Sequence, residues 1–326
     1  MLTISDTVTE MVQWVFPEHA GAPGQIHGGR MMQWIATVGT MAAARVARGQ
    51  VVLGAMDDID FLHPVKVGEI AVLRAQVEAI GRSSIEVGVR VFAENVQSGR
   101  RALTLNSHLV FVKVDEDLKP VPVPATLVPR GPVEEALFAE ARERRRQRLE
   151  RLARRRAGAL DTVDEAEEPR WTLESSRAVL PEDTLFGHTM FPGKLLMDID
   201  EVGGILSMRY CRGLVMTACL DALDFFAPIN THEVVTFKAA LNRVGNSSLE
   251  IGVKVLAEVP WSGEVRHACT AYLAFVHLGP DLRPRACPPF TPETSGEKRR
   301  WAEAEERRAR RLERVKRLKA SIQEGR

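Results

Sequence analysis

The chain is short of cysteine, and the little it has is badly spaced for a local metal knuckle or a disulfide framework. Its four cysteines, Cys211, Cys219, Cys269 and Cys287, all fall in the second half with no Cys-x-x-Cys pair. Buried thiols in a reducing compartment are therefore expected, with no metal site. No apolar run reaches the length of a membrane span. Asp6 and Glu10 interrupt the N-terminus where a secretory signal would be basic and then continuously apolar, so a cytoplasmic location is expected. An excess of one charge is also missing: the formal net charge is +1, which by itself favours no polyanionic partner. Apolar residues are not scarce. They make up 45% of 326 residues, enough for two ordinary cored domains.

The strongest internal signal is repetition. Asp57-x-x-Asp60-Phe61-x-x-Pro64 returns as Asp221-x-x-Asp224-Phe225-x-x-Pro228. Gly81-Arg-Ser-Ser-Ile-Glu-Val-Gly-Val returns as Gly245-Asn-Ser-Ser-Leu-Glu-Ile-Gly-Val, and Ser98-Gly99 as Ser262-Gly263, always 164 residues on. Chance similarity would not hold one register over so many separated blocks, so the chain is one module written twice.

Within a module, Ile85, Val87, Val89 and Val91 alternate with Glu86, Gly88 and Arg90, the period-2 pattern of a half-buried strand. Residues 51–61, 70–77 and 103–114 also read as strands, and the short turns between neighbours imply antiparallel pairing. One long helix precedes them, opened by His27-Gly28-Gly29 in the first copy and Pro192-Gly193 in the second. It is apolar on most faces and so is expected to be buried. The fold class is therefore α+β. Residues 1–125 and 169–290 form the two domains. Residues 126–168 hold an Arg-rich helix and an acidic linker at 161–169, and residues 291–326 hold a second Arg-rich helix. In these helices Arg and Lys are interleaved with Glu, and Leu149, Leu152, Leu312, Val315 and Leu318 sit at helical spacing. A helix packed on its own domain or on a neighbouring chain explains them better than nucleic-acid binding does.

A long helix wrapped by an antiparallel sheet resembles the hot-dog fold, and the motifs resemble the tandem hot-dog acyl-CoA thioesterase family. They are Pro17-Glu-His-Ala-Gly-Ala-Pro-Gly-Gln-Ile-His27-Gly28-Gly29, Asp60-Phe61-Leu-His-Pro64-Val-Lys-Val-Gly68-Glu69 and Gly81-Arg-Ser-Ser-Ile-Glu-Val. The resemblance covers nearly the whole chain. It implies hydrolysis of acyl-CoA at the interface between units, where an Asn from the leading loop of one unit faces an acid on the central helix of the other. It also implies a homo-oligomer, such as a trimer of tandem chains, with no cofactor, nucleic acid or membrane span.

The chain departs from that pattern. The loop Asn is replaced by Gly21 in the first copy and, counting along the loop, by Thr184 in the second. The helix acid is Ala36 in the first copy and Asp200 in the second. One site per chain is therefore expected, with Asp200 as general base or nucleophile. Backbone N–H groups at the His27-Gly28-Gly29 helix start would stabilise the oxyanion, and Gln25 or His27 would partly replace the Asn. By the resemblance, Arg82, Ser83 and Ser84 are expected to contact CoA. His188 is a weaker candidate in the second loop, while Asp60 and Asp224, present in both copies, read as structural. Two other functions compete. A hot-dog dehydratase is suggested by His188 and Phe191-Pro192-Gly193, but their spacing is too short. The missing Asn would instead suit a catalytically decayed acyl-CoA-binding or assembly module.

Overall fold

A computed structural model describes residues 1–21, 24–158 and 169–324. The acidic linker expected at 161–169 lies, apart from Pro169, outside these residues. The first unit runs β1 (Thr9–Trp14), α1 (Gly28–Ala47), β2 (Val51–Met56), β3 (Ile59–Asp60), β4 (Ile70–Ile80), β5 (Ser84–Glu94), β6 (Arg101–Lys113) and α2 (Gly131–Gly158). The second repeats it with β7 (Thr172–Ala178), α3 (Pro192–Cys211), β8 (Leu214–Leu220), β9 (Leu223–Asp224), β10 (Val234–Val244), β11 (Ser248–Val259), β12 (Glu264–Leu278) and α4 (Ser295–Glu324).

Two six-stranded antiparallel sheets result, ordered β1-β4-β5-β6-β2-β9 and β3-β8-β12-β11-β10-β7. The short strands are exchanged. Asp224 and Leu223 pair with Ala55 and Met56 of the first unit, while Ile59 and Asp60 pair with Leu220 and Cys219 of the second. The 51–61 segment is therefore not the single strand its sequence predicts. It breaks at Asp57 and Asp58, whose groups are spent outside the ladder: the Asp57 N–H donates to His108 O, and Asp58 accepts from the Ala222 N–H at 3.0 Å. That break lets each unit hand its next strand to its neighbour and stitches the sheets together.

The central helices are the core. Met31, Met32, Ile35, Ala36, Val38, Ala42 and Ala43 of α1 are fully buried against the sheet, as its all-round apolar sequence requires. The helices α1 and α3 cross antiparallel, each with its opening glycine against the other. A side chain at Gly29 would meet the Met197 backbone at 2.9 Å, and one at Gly193 would meet Gln33 O at 3.1 Å. This close approach brings the N-terminus of each helix onto the second turn of the other.

Strand β5 is buried on both faces from Ile85 to Val89, and Arg90 beyond is exposed. Its outward Glu86 is only 2% exposed, because α2 lies over it. The Arg-rich helices do pack on the sheets, with arginines making much of the contact: Leu149 and Leu312 are 58% and 55% exposed, while Leu152, Val315 and Leu318 are half-buried. Arg148 meets Glu86 at 2.8 Å and Asp57 at 3.3 Å, and Arg144 meets Glu78 at 2.5 Å. In the second unit Arg307 and Arg311 both reach Glu250, Arg311 also holds Asp221 at 2.8 Å, and Arg314 crosses to Asp58 and Asp60 at 2.8 and 2.5 Å. Asp60 therefore has the structural role expected of it, pinning the exchanged strand under α4. Buried acids on the sheet select arginine over leucine as the contact residue.

Candidate functional site

Asp200 lies on the buried face of α3, 1% exposed, and its carboxylate points at the start of α1. The Gly29 N–H donates to Oδ2 at 2.7 Å, and the Thr217 hydroxyl on β8 donates to Oδ1 at 2.8 Å. His27, the residue before α1, places Nε2 3.5 Å from the same Oδ2. Burial pushes the Asp200 carboxyl above the usual carboxylate range, opposed by His27 and by the Thr217 and Gly29 hydrogen bonds. The positive end of the α1 dipole also favours the anion here. Three groups from two units thus hold one carboxylate that neither unit could satisfy alone.

Local sequence explains the geometry. A Cβ at Gly28 would fall 2.6 Å from Thr217 Cβ and 3.1 Å from Asp200 Oδ2, so any other residue there would push the helix start off the acid. At Gly21 a Cβ would fall 2.7 Å from His27 Cδ2. The space an Asn side chain would need beside the acid is occupied by the His27 ring, and the glycine makes that placement possible.

The pseudo-symmetric location has lost every polar member of this set. His27, Asp200 and Thr217 correspond to Phe191, Ala36 and Leu53. What remains is an apolar cavity of about 290 Å³ walled by Leu53, Phe191, Leu195, Phe225, Phe226 and Ile229. The asymmetry first visible as Asp200 against Ala36 therefore extends over three positions.

The structure brings some of the residues singled out in the sequence to Asp200 and leaves others elsewhere. Gly28 and Gly29 do open the helix at the acid, but the Gly29 N–H is taken by Asp200. In this first turn the Gly28 and Arg30 N–H groups are left without an acceptor among the described residues. Arg82, Ser83 and Ser84 are not brought to Asp200. Ser84 pairs with Val112, which pairs with Val52, so this hairpin shares a row with the apolar cavity. The row of Thr217 runs through Phe275 to Leu249, next to Ser248 of the second hairpin. His188 is exposed on the opposite loop. The counterpart of Gly21 is Leu185, not Thr184, because Thr184 bridges Met190 as Ala20 bridges Ile26. Asp198 pairs with Arg177 at 2.7 Å, away from the site. Thr217 was missed, although comparing it with Leu53 across the repeat carries the same signal that singled out Asp200.

Comparison with known proteins follows the same division. Residues 23–99 and 187–260 each match the thioesterase superfamily. The chain is 30% identical over 310 residues to the cytosolic acyl coenzyme A thioester hydrolase of Mus musculus, a match spanning 89% of this chain and 80% of that one. It is 37% identical over 137 residues to the uncharacterized acyl-CoA thioester hydrolase YkhA of Bacillus subtilis (strain 168), spanning 41% of this chain and 80% of that one. A solved acyl-ACP thioesterase from Bacteroides thetaiotaomicron shares the fold with a TM-score of 0.52 at 12% identity, over 84% of this chain and 100% of its own.

Proposed function

The chain belongs to the tandem hot-dog acyl-CoA thioesterases of the thioesterase superfamily, and from that membership we propose that it hydrolyses acyl-CoA to free acid and CoA at one site per chain. The observation that carries the placement is the buried Asp200 carboxylate, held by Gly29 and Thr217 and faced by His27 from the other unit. In the reaction Asp200 takes a proton from water as its oxygen adds to the thioester carbonyl carbon. The oxyanion is met by the Gly28 N–H at the α1 N-terminus. The C–S bond then breaks, and the proton passes to the departing CoA sulfur. His27, 29% exposed in its side chain, stands between the carboxylate and solvent, where it can position the attacking water. The names of the mammalian relatives agree with a cytosolic setting. Exposed Val12 and Trp14 on the edge strand β1, with Phe16 just past its end, support self-association into the expected oligomer.

The test is release of free thiol from acyl-CoAs of several chain lengths by the full chain. Turnover supports the proposal. Stoichiometric CoA binding without release would replace it with the decayed-module reading.

Two variants probe the positioning of the acid. Thr217→Val removes a hydrogen bond that holds Asp200 ionised. A charged hydrogen bond is worth roughly 1.5–3 kcal/mol, or about one to two pH units. The acidic limb of the pH–rate profile is therefore expected to move to higher pH by about that amount, while Thr217→Ser leaves it in place. Gly21→Ala drives a methyl group into the His27 ring. It is expected to lower kcat by about 10² through misplacement of reacting groups, with little change in Tm, because the loop is surface-facing.

A further inference from the structure

Three metal-ligating side chains that have no equivalent in the first unit meet at the C-terminal end of α3. Cys211 ends that helix, His277 lies near the end of β12, and Cys287 follows in the segment that leads to α4. One donor atom from each lies within 4.8 Å of the other two, with Cys211 and His277 buried and Cys287 half-buried. The residues 164 positions earlier are Ala47, Lys113 and Val123. The three ligand types are thus present together in one copy and absent together from the other, although 66 residues separate the first from the second.

The imidazole is oriented for ligation. His277 Nδ1 is 2.9 Å from Ala286 O. A carbonyl oxygen only accepts, so Nδ1 carries the proton and a singly protonated ring keeps its lone pair on Nε2. A backbone carbonyl behind one nitrogen, fixing the tautomer so that the other is free, is the usual support of a metal-bound histidine. Nε2 faces the end of α3: a Cβ at Gly213, two residues past Cys211, would lie 2.6 Å from it.

We propose that Cys211, His277 and Cys287 bind one zinc ion. Two thiolates and one imidazole supply three corners of a tetrahedron, and water fills the fourth. Binding displaces one proton from each thiol, so the two thiolates neutralise the dication, which suits a site with two buried members. The ion ties the end of α3 to the strand and segment that feed α4, where Tyr210 already donates to Pro288 O and Pro289 O at 3.0 Å. The site lies apart from Asp200 and does not depend on the thioesterase reading.

The experiment is titration of the chelator-stripped, fully reduced full-length chain with Co²⁺ and then Zn²⁺. One Co²⁺ per chain is expected, with a thiolate-to-cobalt charge-transfer band that one equivalent of Zn²⁺ bleaches. Cys211→Ser and Cys287→Ser each lose the band, and His277→Gln weakens metal binding at least tenfold. Circular dichroism of each stripped variant checks folding. If a cysteine variant does not fold, His277→Gln, which keeps both thiols in place, decides the question. The proposal is overturned if no stoichiometric band forms, if the variants bind as well as the parent, or if the reduced protein takes up no metal and reoxidises to a Cys211–Cys287 disulfide.

Discussion

Asp200→Asn is expected to lower kcat for acyl-CoA hydrolysis by about 10²–10⁴ while leaving KM within a few-fold and the fold intact. The substitution keeps the shape and the hydrogen bonds. The new amide oxygen accepts from the Gly29 N–H, and the Thr217 hydroxyl can turn to accept from the amide NH₂. What disappears is the base. Stability is expected to move the other way, because the carboxylate is nearly fully buried and its carboxyl lies above the usual range chiefly through desolvation. The folded state therefore holds this proton more tightly than the unfolded state does. Its stabilising contribution is full below the ordinary carboxylate pKa and is lost as pH rises through the raised one. Asn does not titrate, so the variant should be at least as stable as the parent at neutral pH, with its advantage shrinking toward acid. Denaturant midpoints at several pH values, set beside steady-state kinetics, check both halves. A variant with normal kcat would remove Asp200 from the mechanism, and a variant less stable than the parent at pH 7 would show that the carboxylate is a net structural contributor.

That opposition between activity and stability explains what could be read from the amino-acid order and what could not. The duplication, the buried helix and Asp200 were legible because each is a comparison of like with like: strand period, helix period, and one copy against the other. Thr217 and His27 were equally comparable, opposite Leu53 and Phe191. Their joint meaning emerges only when β8 of one unit and the loop of the other converge on a single carboxylate. The exchange of β3 and β9 was hidden for a different reason. A two-residue strand has no period to read, and its destination is set by a break at Asp57 and Asp58 that looks like continued strand. The contact face of the Arg-rich helices was legible only in part. Periodicity marks the leucines, but the sheet beneath presents Glu78, Glu86 and Glu250, each about 2% exposed. A buried acid recruits a guanidinium more strongly than an exposed groove recruits a leucine.

The same buried acids yield the largest expected stability loss, and the two repeats should not suffer it equally. Arg148→Ala leaves Glu86 and Asp57 without the guanidinium that bonds both. Burial already pushes the Glu86 carboxyl upward against the pull of Arg148, so the unpaired charge has little solvent to turn to. Removing one partner of a buried pair costs about 3–5 kcal/mol, which for a domain of this size lowers Tm by about 10 °C. The matching Arg311→Ala should cost less. Glu250 keeps Arg307, whose Nε and Nη2 lie 3.0 and 2.8 Å from Oε1, and Arg314 remains 3.8 Å from Asp221. Glu86→Gln added to Arg148→Ala is expected to recover part of the loss, since it removes the stranded charge without restoring the bridge. The pH dependence has a definite sign. With Arg148 gone, the folded-state pKa of Glu86 rises further above its unfolded value, so the Arg148→Ala deficit should narrow as acidification protonates Glu86. Urea melts of the four proteins at neutral and mildly acidic pH separate the cases. Equal losses for Arg148→Ala and Arg311→Ala would mean that Arg307 does not share the load on Glu250, and no rescue by Glu86→Gln would mean that Arg148 acts through its packed stem rather than its charge.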